Sequence, residues 1–169
     1  MKRSFILISI SIIVLSCSKN KDNFKLTRKV QTLVDSLSIS KDKLKPEIVF
    51  IGDYYPKVTK PYHEFIQVAT TDELIFLTKN KKPNIRCYAF NGLVRRNFSG
   101  LRKIFAEHVK DTATITLYFG GCTSDRITVM EFMLDQLHPF GSKSPEKFTR
   151  KEYNEYSKLA ESWRKKASH

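Results

Sequence analysis

Residues 81–96 read KKPNIRCYAFNGLVRR. With Pro83 at the first turn, the spacing predicts a helix over 84–97. On that helix Ile85, Tyr88, Ala89 and Leu93 share one face, and Cys87, Phe90 and Val94 share an adjacent one. A helix apolar over so wide an arc has to pack against neighbours on two sides. The fold it demands is a layered helical stack, in which no single helix pair buries its own apolar surface.

The flanking sequence agrees. Leu26, Val30, Leu33, Val34 and Leu37 fall at helical spacing, so 24–38 reads as an amphipathic helix. The run EIVFIG at 47–52 reads as extended, and DYYPKVTKP at 53–61 as a loop. From Pro61 the helical pattern holds for about fifty residues. Tyr62, Phe65, Ile66 and Ala69 make one face, Thr70 and Glu73 have capping-box spacing, and Ser99 is positioned to cap a helix carrying Leu101, Ile104, Phe105 and His108. Ala113, Ile115, Leu117 and Phe119 then alternate with polar residues, as in a half-buried strand. After Gly120 and Gly121, Ser124 or Asp125 is expected to cap a helix with Ile127, Met130, Leu134 and Leu137. Thr149 and Glu152 begin a last helix whose buried stripe is Tyr153, Tyr156, Ala160 and Trp163. The expected class is mainly α, with one or two short strands.

The first residues set the address. Lys2 and Arg3 precede an apolar run, Phe5 to Leu15, too short to span a bilayer as a helix. Val14 to Cys17, VLSC, resembles the bacterial lipoprotein signal. That resemblance implies removal of residues 1–16, acylation of Cys17 and stable anchoring through more than one acyl chain. Residues 17–23 are then the lipidated cysteine and a short polar tether, and 24–169 a single domain. Ser18 is not an acidic retention signal, so the resemblance implies the outer membrane rather than the inner. The mature chain of 153 residues carries 28 basic and 17 acidic side chains, a net +11. That balance suits an acidic partner or anionic headgroups, while export argues against nucleic acid.

The stretch NKKPNIRCYAFNGL, preceded by TTDELIFLTKN, resembles a HEAT-like repeat unit, with Pro83, Ile85, Arg86, Ala89 and Leu93 as its recurring positions and the unit near 61–110. Asn84 stands where such repeats usually carry an acidic residue. The longer run from Pro46 to Pro139 is similar to a group of uncharacterised exported bacterial lipoproteins with one such unit. The resemblance implies a fold and an envelope location, and no particular activity.

Chemistry-bearing residues are sparse. With Cys17 acylated, Cys87 and Cys122 remain. An exported compartment permits a disulfide between them, and two separately buried thiols fit the count equally. Cys87 lies on an apolar face; Cys122, beside an expected turn and helix start, is the better nucleophile candidate. His63, His108, His138 and His169 lie far apart, and only Asp135 with His138 has ligand-like spacing, so no metal is expected. Glu64 and Glu73 show no partner for paired acid–base work, and no Gly-rich phosphate loop occurs, so no cofactor is expected. The sequence therefore favours an envelope-anchored interaction or scaffold protein with a protein partner. The alternative is a thiol or hydrolytic enzyme centred on Cys122, with His108 or Asp125 beside it. Electrostatic binding to anionic lipid or glycan is a third idea.

Overall fold

The computed structural model describes residues 24–38, 47–49, 56–118, 124–140 and 146–167. Helix α1 (Arg28–Leu37) starts at Thr27, whose hydroxyl accepts from the Val30 amide, and it buries Val30, Leu33 and Val34. Strand β1 (Glu47–Val49) is followed by α2 (Pro56–Val68). Helix α3 (Thr71–Leu77) opens on the expected capping box: the Glu73 amide donates to Thr70 Oγ1, and Glu73 Oε2 accepts from the Thr70 amide at 2.8 Å. Then come α4 (Pro83–Arg95) and α5 (Leu101–His108). Strands β2 (Thr114–Tyr118) and β3 (Ser124–Thr128) precede α6 (Val129–Gln136) and α7 (Arg150–Ala167). Helices dominate, as the periodicity requires. The strands form one sheet in the order β1-β2-β3, with β1 parallel and β3 antiparallel to β2.

Helix α4 is the centre of this arrangement. It packs against α2, α3, α5, α6 and the β1–β2 side of the sheet, and every residue from Asn84 to Val94 is buried. Burying a side chain such as Ile85, Phe90 or Leu93 contributes about 1.5–3 kcal/mol, so this one helix supplies much of the core. A Cβ on Gly92 would lie 2.6 Å from Ile66 Cδ1 and 3.1 Å from Leu74 Cδ1, so its bare Cα lets α2 and α3 close onto α4. The helix ends in a Schellman motif. Asn97 takes a left-handed φ of 53°, the Phe98 amide reaches Leu93 O at 3.1 Å, and the Asn97 amide reaches Val94 O at 3.0 Å.

Three local expectations are corrected. Residues 56–61 are helical instead of loop: α2 begins at Pro56, so Pro61 sits inside the helix. Ser124 and Asp125 do not cap a helix; they begin β3, and the cap falls to Thr128, which forms a second capping box with Glu131. Ser99 gives way to Gly100 as the residue before α5, and the Arg102 amide is satisfied from afar by Glu146 Oε2 at 2.8 Å. At the last helix the Thr149–Glu152 box forms as the spacing predicts.

Candidate functional site: the Arg86–Asp111–His108 cluster

Arg86 sits one turn into α4, and its side chain is only 11% exposed. A guanidinium in that position must have its donors used, because an unpaired buried charge is costly. Nη1 donates to Asn80 O at 2.8 Å and to Lys81 O at 3.1 Å, closing the connection between α3 and α4. Nη2 donates to Asp111 Oδ1 at 2.9 Å; Nε lies 2.8 Å from Oδ2, close enough for ion pairing but without hydrogen-bond alignment.

Asp111 lies in the segment between α5 and β2, and its side chain and carbonyl together link α4, α5 and α6. Its Oδ2 is 3.1 Å from His108 Nδ1, and its Oδ1 also accepts from the Ala113 amide at 3.3 Å. Its own carbonyl and that of Ala113 accept from the Met130 and Val129 amides at 3.2 and 2.9 Å, satisfying the first turn of α6. Burial pushes the Asp111 carboxyl up, but the hydrogen bonds from His108 and Arg86 and the Arg86 charge outweigh it, leaving its pKa below the ordinary value. Asp111 is therefore an ionised acceptor, which assigns the proton to His108 Nδ1. The other ring nitrogen, Nε2, is buried and makes no hydrogen bond.

Cys87 follows Arg86 and is fully buried with a free thiol. Burial is the largest influence on it and raises its pKa well above the ordinary thiol value; Arg86 lowers it and Asp111 raises it further. Such a thiol is neither ionised nor accessible, so it is no nucleophile. Cys17 and Cys122 lie outside the described residues, as does His169. Of the repeat positions, Pro83 occupies the first turn of α4, while Ile85, Ala89 and Leu93 are completely buried.

Among the described residues the remaining candidates do not converge. His63 is exposed beside the Tyr62 ring, Glu64 pairs with Lys29 at 3.0 Å, and the exposed Asp125 accepts only from the Arg126 amide among its described bonds. Glu73 is buried; burial raises its pKa, but the Thr70 and Thr27 amides more than offset this and hold it low. Among the described residues no group of three or more His, Cys, Asp or Glu is placed to hold a metal. Asp135 and His138 flank Tyr153, whose hydroxyl donates to Asp135 Oδ1 at 2.7 Å and whose ring meets that of His138 edge-on.

A second polar cluster, between α2, α4 and α6, was invisible in the sequence. Tyr62 Oη donates to Asn91 Oδ1, Arg95 Nε donates to the same oxygen at 3.2 Å, and Asn91 Nδ2 donates to Gln136 Oε1 at 2.6 Å. Burial pushes the Tyr62 hydroxyl up to about 12 despite the nearby Arg95. Asp111 was missed too, although its three-residue spacing from His108 was available as a signal.

Comparison with known protein families, with curated proteins and with solved structures finds no match.

Proposed function

We propose that this chain is a lipid-anchored bacterial envelope protein acting by binding, as a scaffold or interaction protein, with the α3–α4 pair as its HEAT-like unit. The anchor rests on the Leu-Ser-Cys ending of the apolar run and on Cys17, and the absence of an acidic residue at position 18 favours the outer membrane. One observation carries the binding reading. In the most chemically suggestive cluster, Arg86–Asp111–His108, the two Arg86 Nη groups, the Asp111 carboxylate and carbonyl, and His108 Nδ1 join α3, α4, α5 and α6. A carboxylate already holding a guanidinium, an imidazole and an amide is committed to structure.

The partner is an envelope protein with an acidic surface. Lys151, Lys158 and Lys165 recur every seventh residue on α7 and are exposed, so they form one basic line along its outer side, with Glu155 and Glu161 between. Crosslinking in intact cells tests the proposal. A C-terminally tagged chain should capture one stoichiometric protein, less of it in the triple charge reversal K151E/K158E/K165E, and none once Cys17→Ala frees the chain from the membrane. Absence of any specific partner, together with fast alkylation of Cys122, would overturn the proposal in favour of the thiol enzyme.

A further inference from the structure

Three large apolar side chains stand out on the surface among the described residues: Phe24 and Phe76, each 41% exposed, and Phe140. Two of the three are in contact, with Phe24 and Phe76 stacked at 4.9 Å between ring centroids. Phe24 is also the first described residue after the tether. Its segment is fastened to the fold nearby, because the Thr27 amide donates to Glu73 Oε1 at 2.7 Å, one turn before Phe76 on α3. In sequence, the exposed ring pair thus directly follows the polar segment that joins it to Cys17.

We propose that the Phe24–Phe76 pair is the domain's contact with the phospholipid headgroup layer. This rests on the lipid-anchor reading. Only residues 18–23 separate Cys17 from Phe24, and a chain of that length reaches at most about 25 Å even fully extended. An acylated Cys17 is fixed at the bilayer surface, so this end of the domain is kept within that distance of it. Aromatic and apolar rings flanked by basic side chains suit that interface. Lys25 and Arg28 are exposed beside Phe24 in the chain, and Lys79 lies one turn beyond Phe76, paired with Glu107 at 2.6 Å. Exposed Asp72, one turn before Phe76, and Glu107 are the acidic neighbours, so Lys25, Arg28 and Lys79 leave the flank basic by one charge, which favours anionic lipid. The tether, SKNKDN, is polar and charged and has no apolar side chain to insert in the rings' place.

The test uses the full, acylated protein in vesicles of phosphatidylethanolamine and phosphatidylglycerol, some with bromine at shallow acyl positions. The double variant Phe76→Trp, Trp163→Phe places one indole in the patch, and the parent reports from Trp163 on α7. The patch indole should shift to the blue and lose emission to bromine, Trp163 should not, and adding Phe24→Ser should reduce the effect. If Trp163→Phe fails to fold, Phe76→Trp alone must show quenching in excess of the parent. An N-terminal mass is read on the same preparation. Acylated protein with an unquenched patch indole overturns the lipid contact while leaving the anchor standing, and a photocrosslink from position 76 to a protein does so in favour of a protein occupant. An unmodified Cys17 overturns the anchor and the contact together.

Discussion

The molecule contains two Asp–His pairs three residues apart, His108 with Asp111 and Asp135 with His138, and they behave in opposite ways. Burial raises both carboxyls. At Asp111 it is outweighed by His108 and Arg86, and the pKa ends below ordinary. At Asp135 the Tyr153 hydroxyl is the main opposing influence, followed by His138; Glu131 adds repulsion, and the pKa ends above ordinary. Sequence spacing is the same in the two places. What differs is the direct cation: Arg86 delivers one to Asp111 from a buried helix, whereas Arg164 is bonded to Glu131 at 2.7 Å and is the smallest influence on Asp135. A carboxylate's charge state is set by what tertiary packing brings to it, and two residues of local sequence do not reveal that.

Breaking the first pair should have the largest effect. Arg86→Ala strips a buried carboxylate of its counter-ion and releases the Asn80 and Lys81 carbonyls, so it should cost about 3–5 kcal/mol in denaturant unfolding. Asp111→Asn keeps an acceptor for Arg86 but removes the charge, and should cost about 2–3 kcal/mol at neutral pH. Its pH dependence sharpens the comparison. Because the folded pKa is depressed, the carboxylate's contribution is whole above the ordinary value of 3.8 and is lost as pH falls through the folded value. The gap between the parent and Asp111→Asn should therefore narrow in acid.

The second pair should respond less. Tyr153→Phe removes the one hydroxyl that donates to Asp135 and should cost about 0.5–1 kcal/mol, the range of a single neutral donor near the surface. Asp135→Asn should have the smallest effect and the opposite sign. Its raised folded pKa means that the protonated form is favoured by folding, a contribution whole below 3.8 and lost as pH rises through the folded value. The variant should thus be more stable than the parent at neutral pH by under about 1 kcal/mol, the gap closing in acid. Equal responses of Asp111→Asn and Asp135→Asn to pH would sink the distinction.

Much of the helical framework was legible because it is local. The Thr70–Glu73 and Thr149–Glu152 boxes announce helix starts within four residues, and each forms. The third box, Thr128–Glu131, escaped notice for a physical reason. Ile127, Met130, Leu134 and Leu137 fit a helical stripe, and nothing nearby says that Ser124–Thr128 will pair with Thr114–Tyr118. The pairing is decided across the intervening residues by a partner strand, and Arg126 then bonds Thr114 Oγ1 through Nε and Nη2. The helical start at Pro56 was masked by a rule that favours prolines at first turns: Pro56 and Pro61 both qualify, and the first of them holds the position.

That residues 84–94 form a helix needing cover on more than one side follows from their apolar periodicity, a property of the chain alone. That the cover is complete depends on contacts made across the fold. Asn84, Arg86 and Asn91 are buried along with their apolar neighbours because partners distant in sequence receive their polar atoms: Leu37 O for Asn84, Asp111 for Arg86, Gln136 for Asn91. A polar residue on a helix reads as exposed until something folds over it, and a buried donor is tolerable only where an acceptor has been brought to meet it. Those acceptors lie 25 to 47 residues away, beyond the reach of any local pattern.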